Sequence, residues 1–272
     1  MSLKLMYITN NPEVMAVSEK YGIDRIFIDM ESLGKEERQP KMDTVKSSHT
    51  IKDIETAKKT LTKTEILVRI NSLNPNTETE VNKVIEAGAD VIMLPYFKSA
   101  FEVKKFIEYV GGRVKTCLLF ETDDSVNNVD EILAVKGIDE AHIGINDMHL
   151  CYKKKFMFEL LCDGTVEYLC KKFKEKNIPY GFGGIAALGE GDVPSELIIG
   201  EHYRLGSTMT IMSRKFCRTN ENTKFEEIEE RFKNGISQIR SFEATLLTKD
   251  EKFFSDNQKI FCEAVNNVVS KM

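Results

Sequence analysis

A rhythm constrains this chain more than any single motif. Short apolar runs recur along it: "LKLMYIT", "RIFIDME", "EILVRIN", "VIMLP", "TCLLFET", "AHIGIND", "PYGFGG" and "YRLGSTM". Most are rich in Ile, Leu, Val or Phe and lack strict alternation, which suits parallel strands buried on both faces. Between them lie segments with helical periodicity. "NPEVMAVSEKYG" opens on an Asn cap with Pro and Glu in the first turn and closes on Gly. "TETEVNKVIEAGA" and "SAFEVKKFIEYVGG" repeat the scheme. The runs are spaced by about 20 to 30 residues, as in successive βα units. Eight such units, in a chain near the roughly 250 residues usual for the fold, predict a closed α/β (β/α)8 TIM barrel. A doubly wound open sheet is the alternative. It needs fewer strands, and its nucleotide-binding form carries a Gly-rich turn after the first strand, where this chain has "ITNNPEV".

The rhythm stops after about Cys217. In "KFEEIEERFKNGISQIRSFEATLL", Phe225, Ile228, Phe232, Ile236, Ile239, Phe242 and Leu246 fall at steps of three or four, an amphipathic helix. A second helix, "DEKFFSDNQKIFCEAVNNVVSKM", follows. The expected organisation is a barrel over residues 1–216 and additional C-terminal helices over 217–272. With no strand to cover, those helices are expected to pack on the barrel or on a neighbouring subunit of a homo-oligomer.

Composition narrows the partners. The 272 residues carry a net charge of −5 with both signs interspersed, so no basic face advertises nucleic acid. No stretch approaches the roughly 20 uncharged apolar residues of a membrane helix. "MSLKLMYITNNPEV" lacks the pattern of a signal peptide. Six cysteines are scattered without a CxxC pair, which reads as reduced thiols in a cytoplasmic protein. The expected partner is a small molecule.

In a barrel, chemistry gathers where strands run into their C-terminal loops. Strand two ends on Asp29 and Glu31, strand three on Arg69 and Asn71, strand four on Pro95. Strand five ends on Glu121, strand six on Asn146 and Asp147, and strand seven runs into Gly183 and Gly184. Acids with one Arg and no Lys at the tips argue against Schiff-base chemistry, which needs a desolvated amine. Lys98, after strand four, reads as an ordinary first-turn helix residue. Glu121 and Asp147, on adjacent strands, are placed to share Mg²⁺ or Mn²⁺, a cation commonly held by one or two carboxylates plus water and substrate oxygens. Arg69 could clamp a carboxylate bidentately. A cation with a guanidinium suits a 2-oxo acid, pyruvate- or oxaloacetate-like, and its enolate. Each acid also has a plain reading as a helix cap, a loop-amide acceptor or an ion-pair partner.

The motifs "FIDMES", "LVRIN", "GADVIMLP", "LLFET" and "HIGINDMH", in that order over most of residues 20–216, resemble the HpcH/HpaI aldolase and citrate lyase β-chain family. The resemblance implies a phosphoenolpyruvate/pyruvate-type barrel, oligomeric, that makes or breaks a carbon–carbon bond beside a pyruvate enolate. It implies Glu121 and Asp147 as metal ligands and Arg69 as the residue holding the oxo acid. Gly144, in "IGIND", corresponds to the backbone turn beside the oxo-acid carboxylate.

One position departs from the pattern. The aldolase branch has His after its D-x-E, as general acid/base, and the citrate-lyase branch typically has Asp; here the residue is Ser32. His49 is the first substitute as catalytic group, with His149 and His202 behind it. His142 opens strand six and is expected at the wrong end of the barrel. Asp29, Glu31, Asn146, Gly183 and Gly184 are expected to line the substrate pocket, the glycines as a wall or a phosphate site. The expected function is a metal-dependent carbon–carbon lyase of the aldolase type. Its alternatives are a citrate-lyase-like acyl-CoA lyase and a metal- and oxo-acid-binding barrel without aldol chemistry. Second-substrate specificity is expected in loops 33–50 and 185–195.

Overall fold

Eight parallel strands close on themselves, each hydrogen-bonded to the next and β8 back to β1, in a computed structural model that describes residues 2–33, 49–213, 215–217 and 223–272. The strands are β1 (Lys4–Ile8), β2 (Arg25–Asp29), β3 (Glu65–Arg69), β4 (Val91–Leu94), β5 (Lys115–Phe120), β6 (Glu140–Ile143), β7 (Tyr180–Ile185) and β8 (Met209–Met212). Among the described residues the helices are α1 (Pro12–Tyr21), α2 (Ile51–Thr60), α3 (Thr77–Ala87), α4 (Ala100–Val110), α5 (Asp123–Asn127) and α6 (Val129–Ile132). They continue with α7 (Ile145–Cys151), α8 (Glu159–Cys162), α9 (Thr165–Glu175), α10 (Ser195–Leu205), α11 (Phe225–Leu246) and α12 (Glu251–Val269).

Local chemistry sets the helix ends as the sequence suggests. Asn11 accepts from the amides of Glu13 and Val14 to start α1. Ser99 and Glu102 form a capping box on α4. The eighth apolar run is displaced, however. "YRLG" completes α10, and β8 begins only at Met209. Helical spacing in "ELIIGEHYRL" wins over the short apolar count.

Side chains alternate between two cores. Met6, Phe27, Leu67, Met93, Cys117, Leu119 and Met209 fill the barrel interior, while the opposite faces of the strands join the larger core beneath the helices. Below the apolar layer, a charged layer closes the N-terminal end. The fully buried Arg25 donates to Glu65 at 2.6 Å and to Glu140 at 2.7 Å, and Lys115 meets Glu65 at 2.6 Å. Lys4 reaches both acids at 3.3 and 3.5 Å. Burial raises the Glu65 pKa, but Lys115 and Arg25 outweigh it and bring the group down to about 2.

His142 corrects one expectation. Glu140 takes the end position of β6, so His142 sits one pleat deeper in the interior rather than at the closed end. Among the described residues neither ring nitrogen has a hydrogen-bond partner, and burial with the nearby Arg25 pushes its pKa down to about 3.

The C-terminal helices lie on this chain's own barrel. α11 packs on α1 and α10, and α12 on α10 and α8. Ile228, Phe232, Ile236, Ile239 and Leu246 are buried as their spacing predicts, whereas Phe225 is exposed. The α12–α8 contact also overturns the expectation of six reduced thiols. Cys162 and Cys262, 100 residues apart in sequence, are joined as a disulfide. Sequence spacing could not see the pair because only the docking of α12 brings the two sulfurs together. No helix among the described residues is long and apolar enough to cross a membrane.

Candidate functional site

Strand tips at the C-terminal mouth hold the polar residues that have no counterpart in the apolar layers below. β2 delivers Asp29 and, one turn on, Glu31; β3 delivers Arg69 directly beside Asp29 in register. Arg69 donates from Nε and Nη2 to the two Asp29 oxygens, both at 2.9 Å, and Nη1 lies 3.3 Å from Glu31. Burial works against the guanidinium charge, but Asp29, Glu31 and Glu121 more than offset it and hold its pKa above the ordinary value. The Asp29–Arg69 fork is the plain ion-pair reading of those residues realised. It fixes the guanidinium plane at the mouth and leaves part of its donor fork unused by Asp29 and Glu31.

Glu121 follows the last residue of β5 and is almost fully buried. It is not the cap of the next helix. Thr122 takes that role, accepting from the Ser125 amide at 3.0 Å, while Asp123 and Asp124 form the first turn. The Glu121 carboxylate instead receives the Tyr96 amide at 3.0 Å. Tyr96 holds a left-handed backbone, φ 53°, which is costly for a residue with a Cβ. Sequence reading passed over Tyr96, since it used only the preceding Pro95. On the other side stands Gly144, where an added Cβ would lie 2.8 Å from Glu121 Oε2 and 2.9 Å from its Cβ. Glu121 is thus pinned between an amide and a residue that has to be glycine.

Gly144 also ends β6. Its amide makes a last rung to the Phe120 carbonyl at 2.8 Å, and its carbonyl accepts from Met148 to start α7. Asn146 and Asp147 therefore sit on the first turn of α7, not on the strand tip. Asp147 is buried and Asn146 exposed. The Cys151 thiol lies within reach of several of these acids: burial raises its pKa, a backbone hydrogen bond at Asp123 opposes that, and the charges of Asp123, Asp147 and Glu121 raise it further.

His49 reaches the mouth too. Its Nδ1 accepts the Asp29 amide at 3.0 Å, so the neutral ring carries its proton on Nε2. Ser32 is held elsewhere, its amide and hydroxyl both given to Asn71 Oδ1 at 2.9 and 3.3 Å. His202 is fully buried on α10. It stacks on Phe182 at 3.8 Å, with Nδ1 2.7 Å from the Ser207 hydroxyl. His149 is buried on α7. Gly183 and Gly184 are corrected from a post-strand loop to the interior of β7, where the register with β8 shifts between Gly181 and Gly184. Gly183 has φ 56° and leaves room for Ile145, whose Cδ1 would be 3.1 Å from an added Cβ. Most of loop 33–50, residues 34–48, lies outside the described residues.

Two buried carboxylates, one already oriented by an amide, match the small protein share of a Mg²⁺ or Mn²⁺ shell. They do not make a closed cage: among the described residues no three His, Cys, Asp or Glu side chains converge as a ligand set. That donor set fits a cation completed by water and substrate, and does not fit a structural zinc site. Surface clefts of about 670 and 590 Å³ lie at the other end of the barrel, lined by Glu65 and Lys115 and by Lys4 and Glu140. Neither includes the mouth acids.

Similarity to known proteins follows the same elements. The model of the HpcH/HpaI aldolase/citrate lyase family matches residues 4–155, from β1 to just beyond α7. An HpcH/HpaI aldolase from Desulfitobacterium hafniense DCB-2 superposes with a TM-score of 0.61 at 18% identity, over 78% of this chain and 86% of that one. An HpcH/HpaI aldolase/citrate lyase family protein from Burkholderia cenocepacia J2315 gives 0.60 at 13%, over 78% and 88%. The citrate synthase SbnG gives 0.59 at 15%, over 78% and 85%. At such identities the superpositions speak for the fold alone. No curated protein is similar enough in sequence to count as a match. The family match spans more than half of the chain and includes Asp29, Arg69, Glu121 and Asp147, and on that ground the chain belongs to the HpcH/HpaI aldolase/citrate lyase family.

Proposed function

We propose that this chain is a divalent-metal-dependent carbon–carbon lyase of the aldolase type, acting on a 2-oxo acid through its enolate. The observation that carries the reading is the pinned Glu121 carboxylate, with Asp147 on the next βα unit and the Arg69 guanidinium across the mouth. Glu121 and Asp147 would hold the cation, and a bound Mg²⁺ or Mn²⁺ supplies Lewis-acid polarisation of the keto and carboxylate oxygens. Arg69, kept in one plane by Asp29 and Glu31, presents fixed positive charge to an anionic substrate without having to reorganise. In cleavage a proton leaves the 4-hydroxyl, the C3–C4 bond breaks, its electrons move to the C2 oxygen, and a proton returns to C3. His49 holds its proton at Nε2, which suits hydrogen bonding to a substrate oxygen. Taking up a second proton at Nδ1 would break its bond from the Asp29 amide, so this ring acts as a donor before it acts as a base. Asn146, exposed beside Asp147, and Gly144 belong to the substrate side of the same mouth. We place the reaction in the cytoplasm and in a homo-oligomer.

Exchange of pyruvate methyl protons with deuterated solvent, followed by NMR with Mg²⁺ or Mn²⁺, tests this reading. Glu121→Ala and Asp147→Ala are each expected to slow it by ~100-fold or more. Unchanged exchange in both variants would sink the assignment. A second reading, a barrel that binds metal and oxo acid without aldol chemistry, draws on Ser32, which is tied to Asn71 where aldolases have His. Metal and pyruvate binding with no methyl exchange would select it. Coenzyme A binding in a titration would instead select acyl-CoA lyase chemistry.

A further inference from the structure

The Cys162–Cys262 pair sits where two parts of the molecule meet. Cys162 is the last residue of α8, on the long excursion between β6 and α9 that begins with α7 and Asp147. Cys262 lies on α12, near the C-terminus. Their Cα atoms are 5.6 Å apart, well inside the range a disulfide spans. Both side chains are partly exposed, so a small thiol or disulfide can reach them. Cys117, Cys151, Cys170 and Cys217 remain thiols.

Packing continues from the bridge towards the mouth. Phe261, beside Cys262, meets Phe158 edge-on with ring centroids 6.0 Å apart. Phe158 and Ile145 stand over Gly183, 3.8 and 3.1 Å from the position of an added Cβ. Ile145 opens α7, two residues before Asp147. A second attachment of α12 does not depend on sulfur: Asn257 fills the space left by Gly200 and donates to the Leu197 carbonyl at 3.1 Å and to Glu201 at 2.9 Å. Loss of the bridge therefore leaves α12 docked and Phe261 against Phe158, but removes the covalent hold on α8.

We propose that Cys162 and Cys262 form a redox latch that orders the 145–162 segment at the barrel mouth: closed when oxidised, loosened when reduced. Closure transfers two electrons and two protons from the thiols to a small-molecule disulfide such as oxidised glutathione, which departs as two thiols. Reduction runs the same exchange backwards. The consequence for Asp147 rests on the metal reading given above; the ordering of the segment does not.

The test uses the full chain equilibrated in glutathione buffers from reducing to oxidising, with the bond quantified by alkylation and mass. Amide hydrogen exchange then compares peptides from 145–162 and 251–269 with peptides from β1–β4. Oxidation is expected to slow exchange roughly tenfold in the first two regions and to leave the strands unchanged. Cys262→Ser and Cys162→Ser are each expected to behave as the reduced protein in every buffer. A pair that stays reduced in the most oxidising buffer, or equal exchange in the two states, overturns the latch. Mn²⁺ titration adds the arm for the site, with affinity several-fold weaker in the reduced protein. Equal Mn²⁺ affinities would overturn the coupling to Asp147. Absence of Mn²⁺ binding in both states would instead defeat the metal reading, with the exchange comparison still deciding the latch.

Discussion

The two ends of the barrel use the same residue types to opposite effect. At the N-terminal end, Lys4, Arg25 and Lys115 face Glu65 and Glu140, and every charge has an opposite neighbour within 3.5 Å. At the C-terminal mouth, Asp29 and Glu31 pair with the Arg69 guanidinium and Glu121 lies within reach of its charge. The closed end, three cations interlocked with two carboxylates, serves the fold. The mouth instead presents buried carboxylates and a fixed guanidinium where the strands open to their loops. Buried charge by itself says little; whether it closes a layer or stands at the strand ends that open to loops separates a structural plug from a candidate site.

Substitution at the closed end should give the largest effect. Arg25→Met takes from Glu140 its nearest partner in a buried layer, leaving only Lys4 at 3.5 Å, and is expected to cost about 3–5 kcal/mol in denaturant unfolding. Metal binding at the mouth should survive in the fraction that folds. A mutant of unchanged stability would show that the layer is not the plug described here. The mirror experiment is Glu121→Gln. It keeps an acceptor for the Tyr96 amide and removes the charge, so metal affinity is expected to fall while Tm changes by far less than for Arg25→Met. Should Tm fall as it does for Arg25→Met, the two ends are not opposites.

Acid separates the ends further. The Glu65 pKa lies near 2 in the folded state, below its ordinary value of 4.5, so its stabilisation is present above about pH 4.5 and is lost as pH falls towards 2. Glu140 is lowered in the same direction: burial raises it, but Arg25 and Lys4 prevail. His142 adds an earlier window. Its folded pKa, near 3, lies below the ordinary 6.5, so the unfolded chain binds the extra proton first and stability declines as pH falls from about 6.5. Unfolding curves for His142→Leu are expected to lose about half of that first slope, the rest coming from buried His202, whose pKa burial also lowers, and to keep the slope below pH 4.5. An unchanged slope would remove His142 from the account. The smallest effect belongs to Tyr96→Gly, which relieves the left-handed backbone while keeping the amide on Glu121. Roughly 0.5–1 kcal/mol of added stability with unchanged metal affinity is expected, and a clear loss of stability would mean that the Tyr96 ring matters more than its backbone.

Much of this was legible in order. Apolar runs without alternation, set between capped helices, specify parallel strands and crossovers, because a strand buried on both faces cannot afford polar positions. Asp29, Arg69 and Glu121 could be picked out for a related reason: polarity returns where each strand leaves the core. The C-terminal helices were readable from the Phe232–Ile236–Ile239 stripe, though not the surface they cover. Other features were beyond reach. Tyr96 acts through its amide, which every residue but proline has, and its left-handed φ has no mark in "LPYF". Gly183 and Gly184 look like any glycine turn until the β7–β8 register is known. His142 depends on which residue of β6 takes the end position. Hydrophobic period and caps are local properties, and the sequence by itself determined the barrel, its helices and the candidate acids through them. The ion-pair layer at the closed end, the Tyr96–Glu121–Gly144 clamp and the Cys162–Cys262 bridge join residues from different βα units, so only the closed tertiary structure could decide them.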